Sequence, residues 1–176
     1  MMLNQASTDA LSVAFLAELR RLLNAAFEGE FSDDDWNHAL GGVHVWVADA
    51  DHVISHAAVI ERTLVCSGEW LRVGYVEAVA TVATHRRRGY GSMVMKRVRE
   101  LIVERYPLGA LATGAHGWYE RLGWERWRGP TFVVGPRGRE RTNDDDGGIM
   151  VLRTSRSSHL NLDGDIACEW RAGDVW

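Results

Sequence analysis

Apolar positions recur three and four residues apart through "TDALSVAFLAELRRLLNAAF", residues 8–27. Leu11, Phe15, Leu19, Leu22 and Leu23 share one face there, and the spacing predicts an amphipathic helix. A second, short helix is predicted over "SDDDWNHAL". Ser32 caps it, Asp35 takes the place of the usual Glu of a capping box, and aspartates in the first turn suit the helix dipole. Gly41-Gly42 ends it, and the period then drops to two. "VHVWVAD" alternates as a strand, Ala50-Asp51 turns the chain, and "HVISHAAVIERTLVC" is a longer strand. Ser67-Gly68 turns again into "WLRVGYVEAVATV". These three strands are expected to lie antiparallel, joined by tight turns.

After Arg88 the helical period returns. Val94, Val98, Leu101 and Ile102 fall on one face, and Pro107 stops the helix. "LGALAT" reads as a short buried strand, "HGWYERLG" as a short helix closed by Gly123, and "WERWRGPTFVV" as a strand with a turn inside it. "GPRGRERTNDDDGG" reads as a long polar loop and "GIMVLR" as a final strand, followed by a polar stretch and "IACEWRAGDVW". The order α-α-β-β-β-α-β-α-β-β is that of an α/β chain, a mixed, mostly antiparallel sheet flanked by helices. One domain over residues 1–176 is expected, with no internal repeat.

Composition narrows the function classes. The chain is 46% hydrophobic and 25% charged, ordinary for a globular protein. No run of about 18 apolar residues is present, so no membrane partner is expected. The first residues lack the basic-then-apolar order of a secretory leader. Cys66 and Cys168 are far apart and form neither a disulfide framework nor a zinc spacing. They read as buried small hydrophobes, and a reducing cytoplasm suits them. The scattered histidines give no metal-ligand spacing. A formal net charge of -4 argues against a dedicated nucleic-acid binder.

The basic run "HRRRGYGS", residues 85–92, is therefore the exception to explain. It lies between a predicted strand and a predicted helix. Gly89 and Gly91 let the backbone approach a ligand, and the first amides of the helix point outward at the positive end of its dipole. That makes an anion site of pyrophosphate size, to which arginines add charge-assisted contacts. On these residues alone a solvated turn is an equal reading. Neither a full G-x-G-x-x-G nor a G-x-x-x-x-G-K-[ST] is present.

In that context Arg86-x-x-Gly89-x-Gly91 resembles the acyl-CoA pyrophosphate loop of the GCN5-related N-acetyltransferase superfamily. "FSDDDWNHALGG", "GYVEAVATV", "LGAL", "GPT", "NDDDG" and "CEWRAGDVW" closely resemble aminoglycoside 2'-N-acetyltransferases, a likeness running from about Phe27 to Trp176. The resemblance implies the GCN5-related N-acetyltransferase fold. It also implies direct transfer of acetyl from acetyl-CoA to the 2'-amine of an aminoglycoside, with coenzyme A as product and the drug inactivated. Another amine on the same fold (a polyamine, a cell-wall precursor or a protein N-terminus) is the alternative. It implies that Val79, Ala80, Thr81, Arg86, Arg87, Arg88, Gly89, Tyr90, Gly91 and Ser92 hold the cofactor, the amides of Val79 and Thr81 polarising the thioester carbonyl.

Glu77 is implied as a general base acting through water, and Tyr119 as the acid near the departing sulfur. Read without the resemblance, Glu77 is a strand carboxylate paired with an arginine, and Tyr119 is a core aromatic beside Trp118 and Leu122. Asp35, Trp36, Glu77, Asp145, Asp174 and Trp176 with its carboxylate are implied around a polycationic substrate, Trp36 near the sugar rings. Relatives are often homodimers, although no interface patch is legible in this chain.

Overall fold

The computed structural model describes residues 1–50 and 52–176. The Asp51 half of the expected Ala50-Asp51 turn lies outside the described residues. Two compact units share the chain. The first holds Met1–Ile60 and Val76–Glu100, the second Glu61–Tyr75 and Leu101–Trp176. Two long strands, β3 (His52–Cys66) and β4 (Glu69–Thr81), contribute residues to both.

In the first unit β1 (Met2–Ser7) pairs antiparallel with β2 (Val43–Asp49), from Met2↔Ala48 to Ser7↔Val43, and β2 pairs antiparallel with β3. The pattern of apolar positions gave no sign of β1, because most of its side chains are exposed. Helix α1 (Val13–Ala26) begins later than the expected Thr8. Ser12 is extended and its Oγ accepts from the Phe15 amide, so the cap sits there, and Thr8–Ala10 forms a separate 3-10 turn. Leu19 and Leu23 of α1 are fully buried in a cluster with Val53 and Ala80, against which Phe15, Phe31, Trp36 and Trp46 pack. Helix α2 (Asp33–His38) carries the expected capping box. The Gly41-Gly42 stop serves a further purpose: a Cβ on Gly42 would lie 2.1 Å from the Val59 carbonyl oxygen, so only glycine permits that approach to β3.

The second unit holds β5 (Leu108–Ala112), β6 (Glu125–Arg126), β7 (Thr131–Gly135), β8 (Gly138–Arg141), β9 (Ile149–Arg153) and β10 (Ile166–Glu169). Hydrogen-bonded order is β6-β9-β5-β4-β3-β10-β7-β8. The β4–β5 and β10–β7 pairs are parallel, and β5–β9, β6–β9, β7–β8 and β10–β3 are antiparallel, so the sheet is mixed and mostly antiparallel as expected. β8 lies inside the expected polar loop. All four of its residues are exposed, so no alternation could announce it. β10 forms from the first residues of "IACEWRAGDVW" and is buried at Ile166, Ala167 and Cys168. Ile166 and Cys168 join Leu64, Leu108, Trp127, Ile149, Val151 and Trp176 in one core. Helix α3 (Tyr90–Arg105) follows β4, and α4 (His116–Glu120) follows β5. Among the described residues no helix is long and apolar enough to cross a membrane.

Candidate active site

The first unit presents an anion cradle after β4. Thr81 ends the strand, a 3-10 turn spans Ala83–His85, and α3 opens at Tyr90. The first helical bond runs from the Met93 amide to the Gly89 carbonyl at 2.9 Å, so the amides of Tyr90, Gly91 and Ser92 have no partner within the helix. Gly89 has φ +87, a left-handed value that glycine takes without cost. Arg87 is left-handed too, at φ 62, which costs an ordinary residue roughly 1 kcal/mol. The three arginines divide their work. Arg86 is a staple: its Nε donates to the Thr81 carbonyl at 3.2 Å and its Nη2 to the Ala26 carbonyl at 3.4 Å. Arg87 and Arg88 are exposed, as a phosphate partner requires.

Upstream in β4 the backbone kinks. Ala78 has φ 52 inside a strand, beside the half-buried Glu77. The Ala78 carbonyl takes a hydrogen bond from a histidine ring, His56 Nδ1, at 2.9 Å. Two residues on, the Ala80 carbonyl accepts from Ser55 Oγ at 3.2 Å, and Thr81 Oγ1 lies 2.8 Å from the same hydroxyl. Asp35 lies on α2, where its Oδ2 accepts from the Ser32 amide and hydroxyl, both at 2.8 Å. Trp36 packs on the α1 cluster with the Arg20 guanidinium 5.6 Å above its ring.

The second unit gathers three predicted substrate residues. Asp145 closes a 3-10 turn over Asn143–Asp145. Trp176 is buried, its indole donates to Thr142 Oγ1 at 3.0 Å, and its amide donates to Asp174 Oδ1 at 3.2 Å. Arg171 donates to the Asp174 carbonyl oxygen at 2.8 Å and to an oxygen of the Trp176 main-chain carboxylate at 3.0 Å, pinning this segment. Burial pushes the Asp145 carboxyl above its ordinary range. A bond from Thr142 offsets part of this, and the negative charges of Asp174, Asp144 and Asp146 push the same way as burial. Asp146 behaves oppositely. Arg141 grips it at 2.8 and 2.6 Å, and the buried Thr131 donates from amide and hydroxyl at 3.0 and 2.9 Å. Its pKa therefore falls, chiefly through the Arg141 bond.

Tyr119, on α4, is buried, with Trp118 edge-on at 4.6 Å and Trp124 edge-on at 6.1 Å between ring centroids. Burial raises its pKa, so the phenol stays protonated near neutral pH. Two buried nitrogens close to it in sequence, His116 Nε2 and Trp124 Nε1, have no protein hydrogen-bond partner. Both cysteines are buried as expected. Burial, with Glu69 and Asp165 adding to it, pushes the Cys66 thiol up to about 12, and burial pushes Cys168 up to about 11.

Glu77, Val79–Thr81 and the 86–92 loop thus form one continuous run in the first unit, with Asp35 and Trp36 on a separate helix. Asp145, Asp174 and Trp176 converge in the second unit, and Tyr119 packs among tryptophans. Sequence reasoning missed His44 and His56. The signal was there, since each interrupts an apolar strand run, "VHVWV" and "ISHAAV".

Comparison with known proteins adds an independent line. A family model described as an acetyltransferase (GNAT) domain matches residues 9–127. An aminoglycoside 2'-N-acetyltransferase from Mycolicibacterium fortuitum is 45% identical over 161 residues, 89% of this chain and 83% of that one. Among solved structures, a GNAT family N-acetyltransferase (YhbS) from Escherichia coli in complex with CoA has a TM-score of 0.65 at 16% identity. That match covers 95% of this chain and 88% of the other. A GNAT family acetyltransferase from Brucella melitensis in complex with acetyl-CoA has a TM-score of 0.60 at 16% identity and covers 97% of each. The chain spans about a third of the length of other matched structures. One is a GCN5-related N-acetyltransferase from Kribbella flavida, 35% covered, at TM-score 0.59 and 22% identity.

Proposed function

Because the chain belongs to the GNAT acetyltransferase family, we propose that it transfers an acetyl group from acetyl-CoA to the 2'-amine of aminoglycosides, inactivating the drug. The likeness to the Mycolicibacterium fortuitum enzyme along most of both chains carries this reading. The local chemistry supports it. The open amides of Tyr90, Gly91 and Ser92, with exposed Arg87 and Arg88, suit a pyrophosphate. Asp145 and Asp174 repel one another, and an ammonium group relieves that repulsion, so the pair favours a polycation.

Each residue then takes a role. Glu77 accepts the amine proton through a water, which frees the nitrogen lone pair. The Val79 amide donates to the acyl carbonyl oxygen, where negative charge grows as nitrogen attacks carbon and the carbon–sulfur bond breaks. Tyr119 donates to the departing thiolate. Its raised pKa makes it a hydrogen-bond donor to sulfur more readily than a full proton source. Trp36, with Asp35 beside it on α2, is assigned a contact to the sugar rings. We assign the reaction to the cytoplasm and no nucleic-acid partner to the protein.

The test is to incubate purified protein with acetyl-CoA and matched aminoglycosides bearing a 2'-amine or a 2'-hydroxyl, and to follow thiol release. Release with the 2'-amines alone is expected. Release with neither, while acetyl-CoA still binds, moves the activity to another amine, with linear polyamines the next to try. Failure to bind acetyl-CoA overturns the reading of the 86–92 loop.

A further inference from the structure

Behind the β4 kink lies a hydrogen-bond chain that runs from a half-exposed threonine through two buried histidines. The Gly41 amide donates to Thr8 Oγ1 at 2.9 Å. Thr8 Oγ1 lies 2.9 Å from His44 Nε2, closer than its other acceptor, the Gly42 carbonyl at 3.4 Å. His44 Nδ1 lies 2.9 Å from His56 Nε2, and His56 Nδ1 lies 2.9 Å from the Ala78 carbonyl oxygen. Both histidines are fully buried. Burial pushes both rings toward the neutral form, His44 down to about 4 and His56 lower still, so each holds one ring proton at neutral pH.

The direction of the chain then follows from chemistry. A carbonyl oxygen only accepts, so His56 must carry its proton on Nδ1. Its Nε2 is then an acceptor, which forces the His44 proton onto Nδ1 as well. His44 Nε2 in turn accepts from the Thr8 hydroxyl, whose oxygen accepts from Gly41. Every donor points the same way, toward Ala78, and such chains strengthen cooperatively. All peptide bonds in the described chain are trans, so the Ala78 C=O and the Val79 N–H belong to one plane and point in opposite directions. Drawing electron density toward that carbonyl oxygen makes the amide on the far side a better donor.

We propose that Thr8, His44 and His56 are positioning residues for acetyl transfer: their one-way chain holds the left-handed kink at Ala78 and strengthens the Val79 N–H as a donor to the acyl carbonyl oxygen. This rests on the role given to Val79 above. It explains why two histidines occupy a strand interior with no metal cluster among the described residues. It also explains how a non-glycine residue keeps φ 52 in a strand.

The test begins with the free protein, labelled with 15N, at pH 7.5. Long-range proton–nitrogen spectra should show both rings neutral and protonated on Nδ1, the less common tautomer. A proton on Nε2 of either ring overturns the proposal. The second reading is kinetic. His56→Phe should shift the Val79 amide proton upfield and lower kcat about tenfold, with KM for acetyl-CoA within about twofold. His56→Asn, which keeps a donor near the Nδ1 position, should recover part of kcat. Should His56→Phe fail to fold, Thr8→Val removes the far, half-exposed donor and should give a smaller change in the same direction. An unmoved Val79 resonance with kcat within about twofold of wild type in the folded variants overturns the proposal. Expected tautomers and an expected Val79 shift, in a protein that acetylates no aminoglycoside, support the chain and overturn the substrate assignment.

Discussion

The chain writes three consecutive aspartates twice, at 33–35 and at 144–146, and the fold uses the two runs in opposite ways. In the first, on α2, the aspartates serve the start of their own helix. Asp35 closes a capping box with Ser32 three residues back, and Asp33 meets Arg20 on the neighbouring helix surface. In the second, the partners come from elsewhere in the second unit. Thr131 and Arg141 lock Asp146, and Asp174 crowds Asp145. Side by side, Asp145 and Asp146 have their acidities moved in opposite directions. The first run stabilises a helix end. The second separates one carboxylate that stabilises from one whose ionised form the fold disfavours.

The largest expected effect that would break this contrast is on Asp146. Asp146→Ala should cost about 2 kcal/mol in denaturant melts, because the buried Thr131 amide loses its acceptor and the Arg141 guanidinium its carboxylate, while the Thr131 hydroxyl keeps the Thr142 carbonyl at 2.7 Å. A lowered carboxyl pKa contributes stability above its unfolded value, near 3.8, and loses it as the pH falls further. The variant should lack that component of acid lability. A loss below about 0.5 kcal/mol would put the two runs on the same footing.

Asp145→Asn should act in the opposite sense on stability. A raised carboxyl pKa means the ionised form is disfavoured by the fold, so the penalty grows as pH rises above 3.8. Removing the charge should leave the Tm at pH 7 equal or higher. Affinity for a 2'-amine aminoglycoside should drop about tenfold, close to 1.4 kcal/mol. Wild-type affinity should weaken as acid protonates Asp145, and the Asn variant should show less of that dependence. A destabilised variant that binds normally would remove Asp145 from the substrate site.

Asp35→Ala comes next, at about 1 kcal/mol for a lost capping box. Its KM sharpens the comparison: a rise gives Asp35 a second task at the substrate, and an unchanged KM leaves it a cap alone. Asp33→Asn should fall within about 0.5 kcal/mol, because Asp33 is exposed and a surface pair is worth little.

These contrasts also mark what the sequence made legible. The Ser32–Asp35 box, the strand–loop–helix around "HRRRGYGS" and the mixed sheet were readable because they depend on neighbours or on periodic burial. The start of α1 was misplaced because Thr8, a good cap by composition, gives its amide to the Gly42 carbonyl, and Ser12 caps instead. β1 and β8 were missed because few of their side chains are buried. Within the candidate site, no local rule separates Asp145 from Asp146, since the distinction lies in Thr131, Arg141 and Asp174. Nor does the arginine run reveal that Arg86 is tied to Thr81 and Ala26 while Arg87 and Arg88 face solvent.

The two buried cysteines have a practical consequence at the bench. A chromogenic thiol reagent reacts with thiolate, and Cys66 and Cys168 hold their protons far above the pH of any such assay. Neither should consume reagent while the protein stays folded, so the baseline in the absence of acetyl-CoA should be flat. Slow colour in the blank would then report unfolding, and the same cuvette would serve as a stability gauge for every variant named above.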